Sequence, residues 1–520
     1  MKGAVAAGHP LTTRAGVDVL EAGGNAVDAC VAASLASWVA ESPLTGPGGG
    51  GFMLVHRARD RSTRVFDFFV AVPGLGGRRP AGEMTAVEVD FSGGSTQVFR
   101  IGGASVAVPG TVAGLEAAHR SFGSLPWREL FAPAVALARA GVELTREQAY
   151  LHEILDPILR HTPESRSIYG RDGTHLAAGD RIAMPDLAAT MATLAEEGAA
   201  PLYRGDLARA VVAHVREQGG ALTERDLREF RVVRRRPVSA PFAGHELRSN
   251  PPPSAGGVLI GYGLRLLERG RLGGPPGSPA AAALLVEVMR EQARARDRRF
   301  AAQLHRGGLA RRLHATEALD LAWARMQAAA DARREPATAG GTTHVSVLDA
   351  AGNAASLSIS TGAGSGVVVP GTGIQLNNML GEFDLDETGG DARPGVRLTS
   401  GMAPSLALAE GRPRLVLGSA GSLRLRGAVL QVAANVLGHG LGVDEAVKRP
   451  RVHWDGDVVH CEGGTAPDVA EELERRGHAV AAWRALNLYF GGVAAVERLP
   501  DGTLAAAGDP RRGGHAVVVA

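Results

Sequence analysis

The sequence predicts an α+β protein, and three features carry that prediction. Helical periodicity dominates from Pro126 to about Glu335, strand-like runs dominate after it, and a short turn-prone stretch separates the two. With 520 residues, 45% hydrophobic and 21% charged, the chain can bury a large core, and disorder is excluded. Its 56 basic and 54 acidic side chains leave a net charge of +2, so no global field draws it to a polyanion. Aromatics, at 4%, are too few for stacking platforms, and no nucleic-acid partner is expected. The longest uncharged apolar stretch near the N-terminus, Ala29 to Ala40, falls short of the roughly 20 residues that span a bilayer, so no membrane partner is expected either. The opening MKGAVAAGHPLTTRAG has no leader pattern, which makes the cytoplasm the expected location.

Taken in order, Thr13 is expected to cap a helix ending at Gly23-Gly24. Asn25, with Asp28 three residues on, is expected to cap a buried helix, AVDACVAASLASWVA. The glycine-rich loop Gly46 to Gly51 then leads into a strand, Phe52 to His56, and lacks the Gly-Lys-Ser/Thr of a phosphate cradle. PPPSAGG, Pro251 to Gly257, interrupts the helical region. The arginines at 234 to 236 and 294 to 299 have acids nearby and read as solvated or salt-bridged faces. Residues 333 to 341, RREPATAGG, mark the break. THVSVLD and AASLSIS follow as a hairpin around Asp349 to Asn353, then SGVVVPGTGIQL, and APSLALA and RLVLGS bracket a Glu410-Gly411 turn. A last helix is expected to start at Thr465 and stop at Gly477. Cys30 and Cys461 sit in apolar contexts and read as buried free thiols, and the 16 histidines form no metal-binding spacing, so no metal or cofactor is expected.

Gly340-Gly341-Thr342-Thr343-His344 meets a strand at the break. If the chain is cut between Gly341 and Thr342, the new α-amino group, with a pKa near 7.7 to 8.0, can take the proton of the Thr342 hydroxyl, so that one residue is nucleophile and base. Gly418-Ser419-Ala420-Gly421-Ser422 follows a strand, where successive N–H groups can face an oxyanion. The hydroxyls of Arg397 to Met402 could hold a carboxylate. Taken singly, each of these is also an ordinary loop or turn, and His344 reads as orienting the strand start.

EAGGNAVDACVAAS, LTGPGGGGFML, ASVAVPGTVAGLEAAH, PPPSAGG, GTTHVSVLDAAGNAASLS, GIQLNNM, SGMAPSLAL and GSAGSLR occur in an order and spacing that resemble, end to end, the gamma-glutamyltransferase family of N-terminal-nucleophile hydrolases. The resemblance implies a four-layer αββα sandwich and a precursor that cleaves itself before Thr342. The products would be a large subunit, 1 to 341, and a small one, 342 to 520, which stay interlocked. It implies that Thr342 is the nucleophile of an acyl-enzyme, that Ser360 stands where the family has a second threonine, and that Gly421 and Ser422 supply the oxyanion hole.

The donor pocket departs from the family. Asp67-Phe68-Phe69-Val70 replaces a DFRE-like segment, putting Phe69 where an arginine pairs with the donor carboxylate. Met379 replaces a glutamine, Glu382 an aspartate, and Gly401 a serine beside the retained Ser400. Losing one side of a desolvated charged pair costs about 2 to 5 kcal/mol. The expected substrate is therefore a small molecule other than an ordinary γ-glutamyl amide. Within the resemblance, four roles fit: a hydrolase of antibiotic-type biosynthesis, including relatives that break a C–C bond and release oxalate on the way to 4-alkylprolines; a conventional γ-glutamyl hydrolase or transpeptidase; an acylase or amidase for some other side chain; or an uncut scaffold.

Overall fold

In the computed structural model the described residues are 2–91, 96–297, 299–328, 341–382, 393–421 and 424–520. Most of the turn-prone break, 333 to 340, and Ser422 lie outside them.

Local chemistry sets the first elements. The Asn25 side chain accepts from the N–H groups of Val27 (2.8 Å) and Asp28 (3.2 Å), and the Asp28 carboxylate accepts from Asn25 N–H (3.0 Å). This reciprocal cap starts the expected helix, Ala26–Ala40, whose 15 residues are all buried, as an apolar surface on every side demands. The preceding helix corrects the expectation. It spans Pro10–Glu21, with the His9 ring accepting from Leu11 N–H at 3.1 Å. Pro10 fixes the first-turn dihedral, so the helix begins three residues before Thr13, whose hydroxyl instead donates to the His515 carbonyl at 2.9 Å. A strand not foreseen, Gly3–Ala7, comes before it. The late helix is likewise shifted, to Pro467–Arg475 after Ala466, because Pro467 sets its first turn.

Two antiparallel sheets organise the molecule. The larger runs Val233–Arg235, Ser62–Phe68, Gly50–Arg57, Ala354–Ser360, Thr343–Asp349, Gly3–Ala7, His515–Val519, and the smaller runs Val238–Phe242, His245–Ser249, Ser405–Ala409, Arg412–Ala420, Gly492–Arg498, Leu504–Gly508. The described part of Pro126 to Glu335 is mainly helical, as read, but the strands from 233 to 249 were not foreseen within it. They are too short to show a period of two, and it is their sheet neighbours that extend them. The larger sheet interleaves strands from before and after residue 341 and the smaller joins two from before it to four from after it, so a cut there would leave two pieces that separate only if both sheets are broken.

Alternation assigns the faces. Val345, Val347, Leu357 and Ile359 enter the apolar cluster that contains the Ala26–Ala40 helix. His344, Ser346, Ser356 and Ser358 alternate with them, and the strands bearing them pack against Arg412–Ala420 of the other sheet. These polar groups are mutually satisfied: the His344 ring pairs with the Ser358 (2.8 Å) and Ser346 (3.0 Å) hydroxyls, and Ser356 donates to the Leu417 carbonyl at 3.1 Å. Helices Gly256–Arg269 and Arg424–Ala433 pack on the smaller sheet. Cys30 and Cys461 are buried and free. Among the described residues, no helix is long and apolar enough to cross a membrane.

Candidate active site

Strand register gathers one end of the larger sheet. Thr343 pairs with Ile359, Ile359 with Gly51, and Gly51 with Phe68, so Thr342, Ser360, Gly50 and Phe69 follow one another across neighbouring strands. At roughly 4.8 Å per strand, Phe69 lies roughly 14 Å from Thr342.

Gly341 and Thr342 are held by backbone contacts on one side. The Ser360 hydroxyl donates to the Gly341 carbonyl oxygen, and Ser360 Oγ accepts from Gly362 N–H at 2.7 Å, which makes it a stronger donor. Gly341 N–H donates to the Gly362 carbonyl at 2.9 Å. Gly362 has φ +72°, and a Cβ there would collide with Asn378 Oδ1 and Glu382 Oε1, so only glycine fits. Both oxygens accept from Ala363 N–H, at 2.9 and 3.1 Å. Glu382, expected to face substrate, therefore braces the turn that carries the Ser360 contact.

On the other side stand two charged residues that sequence reasoning did not single out. Arg512 Nη1 donates to the Thr342 carbonyl at 2.9 Å, and the Glu41 carboxylate accepts from the Thr343 hydroxyl at 2.5 Å. Burial lowers the Arg512 guanidinium to about 10 and raises the Glu41 carboxyl. The only available signal for Glu41 was a charge closing an otherwise apolar helix. Arg512, one of many arginines, gave none.

A cavity of about 20 Å³ touches Gly341, Ala363, Gly421, Arg424 and Arg512, with Phe91, Phe99 and Leu488 among its apolar walls. Gly421 thus lines the same cavity as Gly341.

Phe69 is fully buried and stacks on Phe52 with ring centroids 5.4 Å apart. It shares an apolar cluster with Met379, Leu398 and Met402. Asp67, two residues earlier, accepts from Arg235 at 2.7 Å and lies 3.3 Å from Arg397, which also donates to the Phe69 carbonyl. Leu398 N–H donates to the Val70 carbonyl at 3.1 Å, so the segment leading to Ser400 and Gly401 runs beside Phe69. Ser400 Oγ accepts from Met402 N–H at 3.0 Å. A Cβ added to Gly401 would meet nothing within 4 Å, so the hydroxyl expected there is missing from open space.

Two antiparallel sheets built from both parts of the chain, and a threonine that follows a glycine just before a central strand, fit the arrangement of an N-terminal-nucleophile hydrolase. A family model described as gamma-glutamyltranspeptidase matches residues 12–519, and the chain belongs to that family. It is 33% identical to the Acylase ACY 1 proenzyme of Pseudomonas sp. (strain SE83), covering 100% of this chain and 94% of that one. It is 31% identical to the glutathione hydrolase proenzyme of Escherichia coli (strain K12), covering 98% and 90%. Its structure resembles that of a cephalosporin acylase from Bacillus halodurans with a TM-score of 0.83 and 25% identity, covering 99% and 95%.

Proposed function

We propose that this chain is the precursor of a threonine hydrolase that cuts itself between Gly341 and Thr342, residues 1–341 and 342–520 becoming two interlocked subunits of a four-layer sandwich. The observation that carries the reading is the Ser360 hydroxyl seated on the carbonyl of the Gly341–Thr342 peptide, whose C–N bond would break. Thr342 Oγ adds to that carbonyl carbon, and the developing oxyanion keeps the Ser360 hydrogen bond. Collapse breaks the Gly341–Thr342 C–N bond and transfers the acyl group from the Thr342 nitrogen to its oxygen, the proton given up by the hydroxyl passing to that nitrogen. Water then hydrolyses the ester, releasing a Gly341 carboxylate and a free Thr342 amine.

In turnover that amine takes the Thr342 hydroxyl proton as the oxygen attacks the donor's acyl carbon, and N–H groups of Gly421 and Ser422 receive the oxyanion. The leaving amine collects the proton, and water releases the acid from the acyl-enzyme.

The donor is an acyl group without an α-amino-acid head. Phe69 and Met379 lie in an apolar cluster, and Arg235 and Arg397 beside that segment are both tied to Asp67. Two of the similar proteins are named as acylases, which agrees with this reading. A carbon–carbon substrate is within reach of the same machinery, since an enolate-stabilised carbon can leave in place of an amine; oxalate release would mark it.

A denaturing gel with N-terminal sequencing tests the reading. Two fragments are expected, the smaller beginning at Thr342, and Thr342→Ala should stay whole and inactive. An active Thr342→Ala protein would refute it. Comparing γ-glutamyl-p-nitroanilide with anilides of apolar acids tests the donor class; preference for the γ-glutamyl compound would overturn that part.

A further inference from the structure

Glu41 and Arg512 meet behind the nucleophile without belonging to any recognised motif. Glu41 ends the buried helix Ala26–Ala40, and its second oxygen accepts from the Thr12 hydroxyl at 2.8 Å. Arg512 ends a short turn, Pro510–Arg512, started by Asp509, whose carboxylate accepts from Arg511 N–H at 3.1 Å. Both side chains are buried, and each feels the other's charge. Room for the pair depends on Gly8: a Cβ there would collide with Glu41 Oε2 and stand 3.0 Å from Thr343 Oγ1.

The space between them is closed to substrate. A cavity of about 10 Å³ lies among Gly8, Glu41, Thr343, Asp509 and Arg512, barely enough for one water. Burying a carboxyl and a guanidinium is expensive in desolvation and stabilises a fold poorly, so their placement here points to a task other than stability.

That task follows from the strand start. Regular pairing begins at Thr343, and Thr342 lies just outside the ladder. Before scission Gly341 is tethered to Gly362 and Ser360. Scission frees Thr342 from those tethers, and a new chain end tends to fray. Among the described hydrogen bonds, those from Arg512 to the Thr342 carbonyl and from Thr343 to Glu41 do not pass through Gly341 and survive the cut.

We propose that Glu41 and Arg512 are positioning residues, clamping the Thr342 carbonyl and the Thr343 hydroxyl from behind so that the Thr342 hydroxyl faces the Gly341 carbonyl before scission and the acyl donor after it. The inference rests on Thr342 being the nucleophile. The charged and titratable groups around the pair are Asp509 and Arg424 beside Arg512, and His9 and His515 on the Thr12 side.

The test measures scission of freshly isolated precursor and steady-state turnover of a p-nitroanilide in Arg512→Met, Arg512→Lys, Glu41→Gln and the double variant Arg512→Met/Glu41→Gln. Loss of aim by about 1 Å predicts a fall of about 100-fold in scission and kcat for Arg512→Met, with KM little changed. Arg512→Lys should recover to within about 10-fold of wild type, because it keeps the charge without the planar fork. Removing the cation should also move the acid limb of the kcat/KM profile to higher pH, since the Thr342 amine then holds its proton more firmly. The double variant carries no uncompensated charge and separates folding from aim: it should show the wild-type circular dichroism spectrum yet stay slow. A precursor that remains uncut with that spectrum is the same outcome. Wild-type rates in Arg512→Met or in the double variant, or a loss confined to KM, would overturn the clamp and leave the nucleophile standing. An active Thr342→Ala protein would instead defeat the reading beneath it.

Discussion

The Ser360 hydroxyl and the Gly341 carbonyl are joined by a hydrogen bond, across 19 residues of sequence, at the peptide that precedes Thr342. Gly362 N–H feeds the same hydroxyl. The pair sits as an oxyanion donor would sit for attack on that carbonyl.

Ser360→Ala removes that donor. Scission of the precursor should slow by about 10²- to 10³-fold, the effect of losing one oxyanion donor, while Ser360→Thr should cut at close to the wild-type rate. The time course of precursor loss on a denaturing gel measures both.

Gly362→Ala should impair scission as severely. Its positive φ and the collision with Asn378 and Glu382 force the 362–363 turn to move, and the Gly341 tether and the Ser360 contact move with it. A variant that cuts at the wild-type rate would show that the turn is not needed.

The fold should be acid-labile through its buried histidines. Burial lowers His344 from 6.5 to about 3, and His9, His56 and His152 to about 4. Each is neutral when folded and takes up a proton on unfolding below pH 6.5. Their stabilising effect is therefore fully present above that pH and is lost as pH falls towards the folded values. Each contributes a slope of about 1.4 kcal/mol per pH unit in that window. His344→Gln should reduce the proton uptake on urea unfolding at pH 5 by about one, measured from the pH dependence of the midpoint.

Restoring the arginine of γ-glutamyl enzymes at Phe69 alone should fail. Phe69→Arg places an unpaired cation in a stacked apolar cluster and should cost about 3 to 5 kcal/mol without raising γ-glutamyl-p-nitroanilide turnover. Gly401→Ser, by contrast, enters open space and should change stability by less than about 0.5 kcal/mol. Chemical denaturation and the anilide assay check the two variants together.

What the sequence determined by itself is what near neighbours decide. The Asn25–Asp28 cap, the hairpin at Asp349–Asn353 and the alternation of THVSVLD depend on contacts within a few residues or on a simple period, so they were legible directly. Thr342 stood out as a candidate because a glycine-threonine junction before a strand has a chemistry of its own, and the resemblance singled it out. Local competition shifted the helix starts at Pro10 and Pro467, where proline outweighed the nearby threonines. Only the tertiary structure decided what lies beside Thr342. Glu41 and Arg512 reach the Thr342–Thr343 pair from 302 and 170 residues away. It also decided that Glu382 braces a turn and that Phe69 and Met379 share one apolar cluster. Such contacts arise from sheet register and helix packing summed over the whole chain, and no window of sequence contains that sum.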